Sequence, residues 1–154
     1  MKTEWVGVAA NAASGRGQGR QRVERLVACL DRLGLGVVVA WTPEERADLV
    51  NASNDDPSCR CLVAAGGDGT VAALINERPE RPITVLPAGT ENLFAGHFLV
   101  GPSPEQAAAT IALGRVMPMT SAKTAVAGSP SWPASASTPT WSPATTPRGW
   151  ARRA

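Results

Sequence analysis

Gly66-Gly67-Asp68-Gly69-Thr70 follows an apolar run, Cys61 to Ala65, and opens a stretch of helical spacing. Glycines let a backbone take positive φ and let a bulky anion approach its N–H groups. The helix that follows adds unpaired donors and a partial positive charge at its start. A strand, a glycine turn and a helix start therefore describe a phosphate cradle. Thr70 can cap the helix or bond a phosphate. Asp68 is out of place among anions unless it orients the loop or contacts Mg²⁺, directly or through water. The alternative is an ordinary strand-to-helix turn in which Asp68 serves as the cap.

The third such loop in chain order, Pro87-Ala88-Gly89-Thr90-Glu91-Asn92, also follows an apolar run and precedes a helix. The first loop in the chain, Asn11 to Gly19, follows the run Trp5 to Ala10 and contains Ser14-Gly15-Arg16-Gly17-Gln18-Gly19. That cluster reads GxGxG and lacks the third glycine of a dinucleotide fingerprint. No acid closes the next strand, where Trp41 and Thr42 stand, and no GxxxxGK[ST] string is present. Arg16 and Arg20 are long enough to reach phosphates, or are simply solvated.

These loops need a frame. Val23, Leu26, Val27, Leu30 and Leu33 recur at helical spacing, so residues 20–33 are expected to form a helix with one apolar face, ended by Gly34 and Gly36. Val37 to Trp41 is a second strand, and Pro43 opens a helix to about Ala52. Asn54 to Ser58 is a turn, Cys61 to Ala65 a third strand, and a helix runs from the glycine loop to about Asn76. Ile83 to Leu86 is a fourth strand, a short helix starts at Glu91, and Pro104 to Leu113 forms another helix with Ser103 as its cap. Alternating strands and helices at this spacing imply parallel strands joined by right-handed crossovers. Continuous apolar strands imply helices on both sheet faces, a three-layer αβα Rossmann-like fold. In such a sheet the carboxyl ends of all strands share one edge, where ligands bind, so the three loops should converge there.

The net charge of +2 is small and its arginines are scattered, which argues against a nucleic-acid partner. No apolar run reaches the roughly 18 residues of a membrane span, and the N-terminus reads as a strand, not a signal peptide, so a cytoplasmic location is expected. Cys29, Cys59 and Cys61 are an odd set with a single histidine, His97, which suits neither a disulfide framework nor a zinc site. The last 34 residues hold no Leu, Ile, Phe, Asp or Glu, and Ser, Thr, Pro and Ala supply 24 of them. Such a segment cannot bury enough apolar surface to order itself. It divides the chain into a domain over residues 1–119 and a low-complexity tail over 120–154. A frameshift near Met119 accounts for the composition equally well, because shifting a back-translation by one nucleotide permits an acidic, strand-like string containing GFDADVV.

The three loops together resemble the catalytic domain of diacylglycerol and sphingosine kinases and their bacterial relatives. The resemblance rests on Asn11 with Ser14-Gly15, on Gly66 to Thr70, and on Pro87-Ala88-Gly89-Thr90-Glu91-Asn92-Leu93-Phe94-Ala95, and it covers roughly residues 4–119. It implies an ATP site lined by Asn11, Thr42, Gly66, Gly67, Asp68, Gly69, Thr70 and Thr90. It also implies Mg²⁺, and transfer of the γ-phosphate to the hydroxyl of a lipid at the membrane surface. NAD kinases share GGDGT; the PAGTENLFA segment and the glycine-rich first loop argue against that reading, and a non-catalytic nucleotide-binding module is the third possibility. Two departures stand out. The family often carries Glu three residues after the GGDGT threonine, where this chain has Ala73. The family also continues into a β-rich second domain that supplies the catalytic base and further metal contacts. Nothing after Met119 matches that domain, which implies a truncated chain, poorly active as it stands.

Overall fold

The computed structural model describes residues 3–88 and 103–118. They form β1 (Trp5–Ala10), α1 (Gly19–Arg32), β2 (Gly36–Ala40), α2 (Pro43–Asp55), β3 (Cys59–Gly66), α3 (Asp68–Asn76), β4 (Ile83–Pro87) and α4 (Pro104–Leu113). Met1–Leu113 is one compact unit. A second unit, Gly114–Ala154, has only Gly114 to Pro118 among the described residues. The tail over 120–154, the helix expected from Glu91 and residues 89–92 of the Pro87 to Asn92 loop lie outside the described residues.

All strand pairs are parallel and the sheet order is β2-β1-β3-β4. The chain thus leaves β1 toward one side for β2 and returns to the other side for β3. Alternation along the strands divides the core into two faces. Ala9, Ala40, Leu62, Ala64 and Val85 pack with Leu49 and Val50 of α2 and Val71 and Leu74 of α3. Helices α1 and α4 pack on each other, α1 lies against β1, β2 and β3, and α4 against β4. Val23, Leu26 and Leu30 of α1 and Ala107, Ala108 and Ile111 of α4 are buried there. This is the expected three-layer architecture. Gly7 is where the α2 side approaches most closely: a Cβ on it would lie 2.5 Å from Leu62 Cδ2 and 3.1 Å from Leu49 Cδ1.

Local signals set the boundaries, with some shifts from expectation. Gly34 (φ +75°) ends α1, with Gly34 N donating to Asp31 O and Leu35 N to Leu30 O, the two bonds of a Schellman turn. That turn buries Leu35 and leaves Leu33 51% exposed, so Leu33 does not join the apolar face. Gly36 is not a helix stop but the first residue of β2. Helix α2 starts with a capping box, in which Glu45 N donates to Thr42 Oγ1 and Thr42 N to Glu45 Oε2, with Pro43 at the first turn. It runs to Asp55, because Asp56 N still finds the Ala52 carbonyl at 3.1 Å, so the turn begins at Asp56 and not at Asn54. Strand β3 begins at Cys59, two residues earlier than the apolar run suggests. Helix α4 has the expected cap, with Gln106 N donating to Ser103 Oγ. Edge strand β2 is the exception to double-sided burial, with Val38 50% exposed.

Arg60 holds the end of α4 to the start of the sheet. Its guanidinium donates to Glu4 Oε2 at 2.7 Å and to the carbonyls of Ile111 and Ala112 at 3.1 and 2.9 Å. These carbonyls have no intrahelical partner, and the cation also faces the negative end of the helix. Replacing this residue in Arg60→Met keeps the aliphatic stem and removes the donors. Its unfolding free energy, measured by urea titration, is expected to fall by about 1–3 kcal/mol.

Candidate functional site

The register of the sheet places the candidate residues. The last ladder partners are Ala9 with Ala40, Ala10 with Ala65, and Gly66 with Pro87. Continuing each strand to its carboxyl end sets Thr42, Asn11, Gly66 and Pro87 in one row across all four strands, about 14 Å wide. Backbone bonds tie the row together: Asn11 N donates to Ala65 O at 3.1 Å and Ala88 N to Gly66 O at 3.2 Å. The gap between β1 and β3 is where the chain reverses its direction of travel. In open parallel sheets, crevices form at that point.

Asn11 closes the first loop on itself. Its Oδ1 accepts from Ala13 N at 3.0 Å and its carbonyl from Ser14 Oγ at 2.7 Å, which leaves the side-chain amide as the donor available to a ligand. Gly15, Arg16 and Gly17 then follow with φ of +61°, +56° and +85°, three successive left-handed residues. Gly15 sits against the third loop, since a Cβ on it would lie 2.7 Å from Ala88 O. Gly19 is enclosed in the same way, 2.6 Å from Ser14 Oγ and 2.7 Å from Asn11 O. The first and third loops are therefore in backbone contact, and the second joins them through Gly66.

Within Gly66 to Thr70 the glycines act differently from the expectation. None of Gly66, Gly67 or Gly69 has positive φ; Gly67 is the N-cap residue, with φ −90° and ψ −170°. Gly66 is required for clearance, because a Cβ there would collide with Thr70 Oγ1 and lie 2.8 Å from Thr70 Cβ. The N-cap position of α3 belongs to Gly67, which has no side chain to cap with, and Asp68 is the first helical residue. Thr70 N and Val71 N make the first bonds, both to Gly67 O. The amides of Asp68 and Gly69 precede those bonds. Gly69 is exposed, and a Cβ on it would meet nothing within 4 Å. A helix start with no side-chain cap and open space beside its second residue has the form a phosphate group fills. Asp68 places one carboxylate at the same point, which suits Mg²⁺, an ion commonly held by one or two carboxylates plus phosphate oxygens.

The structure thus brings Asn11, Thr42, Gly66, Gly67, Asp68, Gly69 and Thr70 to one edge, while Thr90 lies outside the described residues. Thr42 spends its hydroxyl oxygen on the α2 cap and can still donate its proton. Reading the sequence missed a pair at this edge: the Arg20 guanidinium carbon lies 4.5 Å from the centroid of the Trp41 ring. In the sequence Arg20 stands out only as a candidate for phosphates or solvent, and Trp41 only as the close of the second strand.

The cysteines stand apart from this edge. Burial pushes the Cys59 thiol up to about 11 and the Cys61 thiol to about 12, so both remain protonated at neutral pH and are poor nucleophiles. Among the described residues, no group of three or more His, Cys, Asp or Glu is placed to hold a metal.

A family model, "Diacylglycerol kinase catalytic domain", matches residues 6–124. A crystal structure of a diacylglycerol kinase from Bacillus anthracis str. Sterne superposes with a TM-score of 0.61 at 22% identity, covering 77% of this chain and 45% of its own. Two further structures from the same organism give TM-scores of 0.62 at 22% identity, each covering 77% of this chain and 45% and 42% of theirs. The chain thus spans less than half the length of these structural relatives, and at this identity the likeness is one of fold. A comparison with curated proteins finds no match.

Proposed function

Since the chain belongs to the diacylglycerol kinase catalytic-domain family, we propose that its carboxyl rim holds the phosphates of ATP for transfer to the hydroxyl of diacylglycerol or a related lipid. The observation that carries this reading is the uncapped start of α3, open at Gly69, in the middle of a row that also contains Thr42 and Asn11. On this reading Gly66 to Thr70 supply backbone donors to the phosphates. The Asn11 amide and the Thr42 hydroxyl bind along the rest of the nucleotide, and Thr90 completes the line. Asp68 holds Mg²⁺, which when bound neutralises charge on the phosphate oxygens.

Little covalent chemistry falls to the protein in phosphoryl transfer, where positioning and charge neutralisation dominate. The residues of this rim fix one reactant only. The base that takes the lipid proton and the surface that receives the lipid belong, on this proposal, to the portion of the fold that this chain does not span. We assign the nucleotide-binding domain to residues 1–119 and give the tail over 120–154 no part in it. Among the described residues no helix is long and apolar enough to cross a membrane. Action from the cytoplasm, at the surface of the bilayer that holds the lipid, follows from the substrate class.

Titration of the chain with ATP, ADP and adenosine in the presence of Mg²⁺ tests the reading. Affinity is expected to fall by roughly tenfold from ATP to ADP, about the worth of one charge-assisted hydrogen bond, and by more from ADP to adenosine, which lacks two further phosphates. Adenosine binding as tightly as ATP, or no binding of ATP, overturns it.

A further inference from the structure

Arg20 and Trp41 have no part in the phosphate cradle, yet they stand on the same rim. Trp41 follows Ala40, whose side chain packs toward α2 and α3; alternation therefore turns the indole to the α1 face. There the guanidinium of Arg20, in the first turn of α1, lies over its ring. The strand end does not depend on that contact, because Trp41 N donates to Glu45 Oε2 at 2.6 Å within the α2 cap. The indole is half-buried and Arg20 is exposed. The first turn of α1 contains no acidic residue, so Arg20 faces the positive end of its own helix and is held by the ring instead. Two flat groups are thus stacked and presented to solvent at the β2 end of the row. The start of α3 lies two strands away, about 10 Å along the row, and on the other face of the sheet. That separation suits a nucleotide whose phosphates rest on α3 and whose base extends toward β2.

We infer that Arg20 and Trp41 form the platform on which the base of the nucleotide stacks, and that Arg20 is not a phosphate ligand. The inference rests on the phosphate reading of the α3 start. Guanidinium and indole both stack on aromatic rings, and such stacking is tolerant of the identity of the base. The pair thus distinguishes a nucleoside triphosphate from a bare polyphosphate more strongly than one base from another.

The test compares ATP with inorganic tripolyphosphate, each with Mg²⁺, on the whole chain and on Trp41→Leu, Trp41→Phe and Arg20→Gln. ATP affinity is expected to fall about tenfold in Trp41→Leu, the order of a lost base–aromatic stack, and to recover in Trp41→Phe. It is expected to fall severalfold in Arg20→Gln, an exposed position whose replacement leaves folding intact if Trp41→Leu does not fold. Tripolyphosphate binding is expected to stay within twofold throughout. Equal losses of ATP and tripolyphosphate in Arg20→Gln make that residue a phosphate ligand and overturn the inference. Unchanged ATP affinity in Trp41→Leu also overturns it while leaving the phosphate reading intact, whereas a wild-type chain that binds neither compound removes the phosphate reading itself.

Discussion

Gly69→Val is expected to weaken ATP binding by roughly ten- to hundredfold while leaving the fold as stable as before. The two halves of this expectation have separate origins. Stability is spared because a Cβ at position 69 meets no atom of the protein within 4 Å. Replacing glycine by valine in a helix also recovers part of the entropic handicap of glycine, roughly 0.3 kcal/mol. Binding is lost because a helical Cβ tilts toward the helix start, into the space where an anion would approach the amides of Asp68 and Gly69. A hydrogen bond to a charged group contributes about 1.5–3 kcal/mol, and displacing one gives the stated range. Calorimetric titration with ATP and a thermal melt of the same samples decide the matter. A variant that binds ATP like the wild type places the phosphates elsewhere, and one that unfolds early shows that Gly69 has a packing role instead.

The opposite pattern is expected of Gly15→Ala, in which the fold itself is weakened, by about 2–5 kcal/mol. Two penalties add there. The residue has φ +61°, a conformation that costs an L side chain about 1–2 kcal/mol. The new methyl group would stand 2.7 Å from Ala88 O, a backbone atom that cannot turn aside, and overpacking of this kind costs about 1–3 kcal/mol. Because Gly15 joins the first loop to the third, ATP affinity should fall along with the denaturation midpoint. A midpoint equal to that of the wild type would mean that the two loops are not in contact in solution.

Most of the frame was legible before any coordinates. Apolar runs located the strands and helical spacing located α1, while Pro43, the glycine loop and Ser103 marked the starts of the other α-helices; the short 3-10 turn at Gly15–Gly17 had no such mark. Boundaries were less legible where a backbone bond decides them. Asp56 N reaching Ala52 O extends α2 past its last apolar contact, and the turn at Gly34 exchanges Leu33 for Leu35 in the core. The glycines of the α3 loop show a second limit. Their presence was plain, but whether each serves torsion, clearance or ligand approach depends on the neighbours of its Cα, and Gly66 and Gly69 differ in just that respect. The Arg20–Trp41 stack was illegible for the same reason: the two residues lie on separate elements, and only the packing of α1 against β2 brings them together.

The pairing of β1 has a consequence for how the molecule forms. Its two neighbours in the sheet, β2 and β3, both arrive after intervening helices, so no hairpin can nucleate the central strand. Such nonlocal closure is slow. While the chain is being synthesised, one edge of β1 stays bare until Gly36 to Ala40 have emerged, and the other until Cys59 and the residues after it follow. The central strand is thus the segment most exposed to association with other nascent chains, and the rim that it helps to build is completed late.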